Sequence, residues 1–139
     1  MLFFLRPRLT GLTKTSSQTV THTGDVNFED LIQRLRDFAD ARDWDSFHTP
    51  KNLVMALSGE VGELISLFQW LTPDECAAWR EDADLAANVL DEIADVTLYL
   101  VRLADVLGLD LLAAANAKLD RNEVRFPALT NQGTINRQP

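Results

Sequence analysis

Cysteine is almost absent from this 139-residue chain: Cys76 stands alone, so no intrachain disulfide can form. That usage fits a reducing, cytoplasmic compartment. Histidine is nearly as scarce, with only His22 and His48. Long apolar runs are missing too. The hydrophobic start at residues 1–5 is broken by Arg6 and Pro7, too short for a membrane span or a secretory core segment. Between residues 27 and 126 there is almost no strand-type alternation. Positive charge is in deficit, with 13 Lys and Arg against 21 Asp and Glu and a formal net charge of −8. An acidic surface repels nucleic-acid backbone, which argues against nucleic acid as a partner. It would repel a polyphosphate as well, unless cations intervene.

What is present is helical. Alanine, leucine, acids and arginine recur at spacings of three and four through the middle of the chain. The pattern predicts one all-α domain over residues 27–127. An irregular extension is expected at 1–26, rich in Thr and Ser and without an acid before Asp25, and a polar tail at 128–139. An organelle transit peptide is the alternative reading of the basic first 24 residues. Helix one is expected from Asn27 to Asp43, with Phe28, Leu31, Ile32, Leu35 and Phe38 as its apolar stripe. Helix two opens with Thr49 as cap and Pro50 as first residue and is expected to reach Leu71. Thr72-Pro73-Asp74-Glu75 reads as a capping box opening a short helix through Arg80. Helix three is expected from Asp84 to Leu107, stopped by Gly108. Helix four, capped by Asp110, ends before Pro127. Short connections between long helices imply antiparallel neighbours, hence a four-helix bundle.

The acids have a pattern of their own. On a wheel of about 100° per residue, Glu60 and Glu63 lie about 60° apart, beside the stripe Leu53, Leu57, Val61, Leu64 and Phe68. Helix three repeats this. Glu92 and Asp95 border the stripe Val89, Ile93, Val96, Leu100, Leu103 and Leu107, with Asn88, Tyr99 and Arg102 on the acidic side. Like charges at i and i+3 destabilise a helix by a few tenths of a kcal/mol. Two such pairs facing each other beside a core would cost far more unless neutralised. Divalent cations are the natural neutraliser. An all-oxygen ligand set suits Mg²⁺, with Mn²⁺ able to substitute, better than zinc or copper. Two solvated acidic faces are the alternative that spacing alone leaves open. Di-iron chemistry is disfavoured because it needs Glu-x-x-His pairs and neither histidine falls inside a helix.

Several stretches then read together: Phe47-His48-Thr49-Pro50-Lys51-Asn52-Leu53, Gly59-Glu60-Val61-Gly62-Glu63-Leu64, Phe68-Gln69-Trp70, Asp91-Glu92-Ile93-Ala94-Asp95-Val96 and Lys118-Leu119-Asp120-Arg121-Asn122. Over residues 27–127 the chain resembles the MazG-like all-α nucleotide pyrophosphohydrolases, the dCTP pyrophosphatase branch in particular. The two acid pairs, separated by the 28 residues 64–91, match that family's metal motif.

The resemblance implies Mg²⁺-dependent hydrolysis of a nucleoside triphosphate to monophosphate and pyrophosphate, with water attacking the α-phosphorus. It implies Glu60, Glu63, Glu92 and Asp95 as metal ligands, with Glu63 favoured to orient or deprotonate the water. Lys118 and Asn122 share a helix face and are implied to hold the phosphate chain. Trp44 and Trp70 are expected to stack on the base, with packing as the alternative for each. Tyr99 is implied to lie under the sugar. His48 is read either as a substrate contact or as a structural residue. The dCTP branch is expected to carry a histidine on its first helix near the base. Here that place holds Leu35 or Arg36, which bears on cytosine preference more than on the reaction.

Two other activities stay open within the enzyme class: a dUTP or broad-specificity triphosphate pyrophosphatase, and a phosphoribosyl-ATP pyrophosphohydrolase, which the aromatic pair disfavours. A non-catalytic helical interaction module is the reading from a different class. It has no need of four placed acids. No membrane partner is expected. Helices two and three carry more apolar surface than one small bundle covers, so the chain is expected to form homo-oligomers, a dimer at least and a tetramer by resemblance.

Overall fold

In a computed structural model, residues 27–128 are described. The expected extension at 1–26 and the tail beyond 128 lie outside the described residues. All the regular structure among the described residues is helical: α1 (Phe28–Asp40), α2 (Pro50–Phe68), α3 (Pro73–Ala77), α4 (Ala83–Val106) and α5 (Leu111–Arg125).

Each start follows from the side chain before it. Asn27 accepts from the Asp30 amide at 2.9 Å and opens α1. Thr49 accepts from the Asn52 amide at 3.3 Å, and Pro50 takes the first position of α2, where its missing N–H costs nothing. Thr72 and Glu75 form the expected reciprocal capping box on α3. Asp82 caps α4 by accepting from the Asp84 and Leu85 amides, both at 3.0 Å. Asp110 does the same for α5 with the Ala113 amide at 2.9 Å.

The ends differ from the sequence expectation in informative ways. α1 stops at Asp40 rather than Asp43, because Asp43 takes a left-handed conformation at φ 54°. The chain there doubles back, with the Trp44 amide donating to the Ala39 carbonyl at 3.1 Å. α2 stops at Phe68 rather than Leu71, since Thr72 must be extended to cap α3 and Pro73 disfavours helix at the residue before it. α3 stops at Ala77 instead of running to Arg80. α4 starts at Ala83 and ends at Val106, one residue before each expected bound, because Asp82 is the cap. Gly108, at φ 65°, supplies the turn after it.

α2 packs lengthwise on α4, and α1 packs on α4 as well. Leu53 from α2 and Val89, Tyr99, Val101 and Ala104 from α4 are buried, with Ala39 of α1. The buried face of α4 is rotated from the expected stripe. Ile93, Leu100 and Leu107, placed in the core by the wheel, are exposed, as is Val61 on α2. The reason is the position of the helix contact. Burial follows the Val89–Glu92–Val96–Tyr99 line of α4, and Ile93 and Leu100 on the far flank of the apolar stripe stay uncovered. The acids that were expected beside the core therefore lie along the seam itself.

Residues 27–108 hold α1–α4 as one compact unit, and residues 109–128 carry α5 as a second. No helix among the described residues is long and apolar enough to cross a membrane.

Leu53 is 2 % exposed and lies where α2 meets α4. Leu53→Ala should lower unfolding free energy by about 2–4 kcal/mol, in the range for buried leucine truncation, as read from the urea midpoint at constant m.

Candidate metal centre and adjoining cavities

The seam between α2 and α4 brings acids from both helices together. Carboxylate oxygens of Glu60, Glu63 and Glu92 all lie within 4.8 Å of one another, a spacing suited to a shared cation. Asp95 stands beside this cluster, near enough for its charge to act on both Glu60 and Glu92. The structure thus gathers three of the four expected ligands and sets the fourth at their edge.

The electrostatics record the strain. Burial pushes the Glu60 carboxyl above the ordinary carboxylate range, and Asp95, Glu63 and Glu92 push it the same way. Burial likewise raises Glu92, aided by Glu63, Asp95 and Asp91. The Tyr99 phenol is raised by burial, then by Glu60 and Asp95. Most telling is Glu92, whose Oε2 is buried and has no hydrogen-bond partner. An unsatisfied buried carboxylate oxygen is costly. A hard divalent cation would satisfy it, and the donor set, all oxygen, fits Mg²⁺. Glu60, Glu63 and Glu92, with Asp95 beside them, are the residues that would hold it.

Two cavities adjoin. The larger, about 550 Å³, is walled by Leu31, Leu35, Phe38, Leu53, Leu98 and Tyr99, with Arg34, Asp37, His48, Asp95 and Arg102 supplying polar groups. The smaller, about 240 Å³, is lined by Trp44, Phe47, His48, Asn52, Leu53, Ala56 and Tyr99. Apolar walls with a few polar groups are the usual make-up of a small-molecule site. Asp95 lines the larger cavity, so the acidic seam and that cavity are continuous.

Trp44, His48 and Tyr99, singled out by the resemblance, line the smaller cavity together. Trp44 and His48 meet edge to face, with ring centroids 6.0 Å apart. Trp70 does not join them. It lies past the end of α2, 86 % exposed, and lines neither cavity. Lys118 and Asn122 lie one turn apart on α5, in the second unit. Of the two candidates for the first-helix position, Leu35 lines the larger cavity, whereas Arg36 turns away to bond Asp105.

Sequence reasoning set Arg102 on the acidic side of its helix but missed its partners, and it missed Asp105 altogether. Asp105 receives both Arg36 and Arg102, and the Arg36 hydrogen bond holds its carboxyl below the ordinary range. An Asp three residues after an Arg on a helix was the available signal. Nothing in the sequence announced the third partner on α1. Asn52 donates its Nδ2 to the Phe47 carbonyl at 2.9 Å and ties the α1–α2 loop to α2.

The profile of the MazG-like family matches residues 55–136, and the chain belongs to that family. It is 38 % identical over 124 residues to bovine (Bos taurus) dCTP pyrophosphatase 1, covering 89 % of this chain and 73 % of that one. It is 44 % identical over 100 residues to human (Homo sapiens) dCTP pyrophosphatase 1, covering 72 % of this chain and 59 % of the human protein. A crystal structure of a pyrophosphatase from Archaeoglobus fulgidus superposes with a TM-score of 0.69 at 39 % identity, over 77 % of this chain and 98 % of that one.

The raised carboxyls give a signed expectation. In the metal-free protein Glu60 and Glu92 hold protons that the unfolded chain releases near pH 4.5, their ordinary value. Stability from this source is full below that pH and is lost as pH rises through the folded values. Chelated protein should therefore melt at a higher temperature in mild acid than at neutral pH, and added Mg²⁺ should reverse the order. Glu92→Gln should raise the neutral-pH Tm of the chelated protein and cancel its response to Mg²⁺. Calorimetry with and without chelator checks both.

Proposed function

We propose that this chain hydrolyses a deoxynucleoside triphosphate, dCTP or a modified dCTP, to the monophosphate and pyrophosphate, as a Mg²⁺-dependent house-cleaning enzyme of the nucleotide pool. One observation carries the reading: acids from two helices crowd at one seam, leaving a buried Glu92 oxygen without a partner beside a cavity of nucleoside size. The relatives named dCTP pyrophosphatase 1 and the archaeal pyrophosphatase support the reaction class.

The chain is a nucleoside triphosphate pyrophosphohydrolase. Glu60, Glu63, Glu92 and Asp95 serve as the cation's ligands. When bound, Mg²⁺ supplies neutralisation of phosphate oxygens and a lowered pKa for attacking water. Glu63, the exposed member of the clustered three, is the residue assigned to accept the water's proton. The cavity walls exclude solvent from the nucleoside. Trp44 offers a flat face to the base, which gives affinity more than selectivity. Tyr99, its phenol kept protonated by burial and by Glu60 and Asp95, lies between cavities and acids and suits the sugar. Lys118 and Asn122 on α5 are assigned to the triphosphate chain.

The domain spans 27–127 and works as a four-helix bundle in a homo-oligomer, a dimer at least. The exposed apolar flank of α2 and α4, with Val61, Ile93 and Leu100, supports that assembly. Trp70, exposed in the single chain, then contributes its ring to a neighbouring copy's site. Leu35 in the cavity wall favours an apolar contact with the base over a polar one.

A panel of canonical and 5-substituted triphosphates, assayed for pyrophosphate release with and without Mg²⁺, tests the reading. dCTP-type substrates should lead, and turnover should vanish with chelator. Glu63→Gln should lower kcat by at least about a hundredfold, as expected for loss of a general base, with an unchanged circular dichroism spectrum. Absence of metal-dependent release from every triphosphate would leave a helical interaction module as the better description. Light scattering at micromolar concentration should give at least twice the monomer mass.

A further inference from the structure

Arg102 lies on α4, seven residues past Asp95, with its side chain only 11 % exposed. Its guanidinium reaches three acceptors, two in the α1–α2 loop and one on α4. Nη2 donates to Asp45 Oδ1 in the α1–α2 loop at 2.6 Å, and Nη1 donates to Asp105 Oδ2 on α4 at 2.8 Å. Nε donates to Nδ1 of His48 at 3.2 Å.

The bond to His48 fixes more than a position. A guanidinium stays protonated in proteins and has donors only. A ring nitrogen that receives its N–H must offer a lone pair. Nδ1 of His48 therefore carries no proton, and the proton of the neutral ring resides on Nε2. His48 lines both cavities, as Tyr99 does, and shares the smaller one with Trp44.

We propose that Arg102 is a positioning residue that holds His48 as a neutral, Nε2-protonated imidazole, making its Nε2–H a donor to an uncharged oxygen or ring nitrogen of the nucleoside part of the substrate. This rests on the nucleotide reading above. A phosphate oxygen would be served better by an imidazolium, and the surroundings disfavour one. Burial lowers the basicity of His48, and the adjacent Arg102 charge lowers it further. The other charged groups near the ring come from three directions. Arg34 and Asp37 of α1 and Asp95 of α4 line the same cavity, and Asp45 of the loop favours the protonated ring. Asp45 is itself bonded to Arg102, which spends much of its charge there. From α2 the neighbour in the smaller cavity is Asn52, which is neutral. The balance keeps the ring uncharged, so the contact gives orientation and selection by acceptor position, while attraction of the polyphosphate is left to the cation and the lysine.

Nitrogen-15 spectra of the full chain test the first half directly. His22→Gln leaves His48 as the sole histidine ring. At neutral pH its Nδ1 should resonate as an unprotonated ring nitrogen and Nε2 as a protonated one, and the ring should titrate below its ordinary value. Arg102→Met should give mixed tautomers and a ring that titrates closer to its usual value. In the wild-type background Arg102→Met should raise KM for the preferred triphosphate about tenfold, with kcat within about twofold, the pattern of lost ground-state binding. Because Arg102 also holds Asp45 and Asp105, a second pair leaves that arginine in place. His48→Ala should raise KM about tenfold, and His48→Gln, whose amide N–H reaches near the Nε2 place, should recover most of the loss. A protonated Nδ1 in the parent protein overturns the proposal, and so does a glutamine variant no better than alanine. If no triphosphate is turned over at all, the nucleotide reading fails, and the ring spectra still decide whether Arg102 sets the tautomer. If Arg102→Met does not fold, the parent spectra and the His48 pair decide.

Discussion

Carboxylates repel, and this fold presses them together along the line where its two longest helices meet. The α2–α4 contact runs through Glu92 rather than beside it, so the packing that buries Val89 and Tyr99 also takes Glu92 Oε2 out of water. The apolar contacts and the acid cluster are consequences of one helix orientation. The protein thus holds a local electrostatic cost in place with hydrophobic burial.

The sequence made the helices legible because their starts depend on one or two side chains each. Asn27, Thr49, Thr72 and Asp110 cap as their residue types and spacing foretold. Helix ends were harder. The stop at Asp40 depends on Asp43 adopting a left-handed conformation, which aspartate tolerates and does not advertise. The wheel found both acidic stripes but misjudged which flank of α4 is covered. Periodicity reports an apolar arc, and the partner chooses where on that arc to lie. The arc also served two demands, a core and an exposed flank, which a single sequence does not separate.

At the site, the split is similar. Glu60, Glu63 and Glu92 were readable because chemistry and spacing coincide on single helices. Trp44, His48 and Tyr99 rested on resemblance, and the fold brings them to shared cavities. Arg36, Asp45, Arg102 and Asp105 were not readable as a set, since their partnerships join α1, the loop and α4. Contacts of that kind depend on tertiary placement, about which local pattern is silent.

The tie between Asn52 and the Phe47 carbonyl has a mechanical meaning. Together with Arg102 bonding Asp45 and His48, and Trp44 bonding the Ala39 carbonyl, it fastens the loop at four points to three helices. A loop pinned so densely behaves as a rigid plate, not a flap. Its aromatic rings are held in place by the fold itself, so the entropy of arranging them is spent during folding.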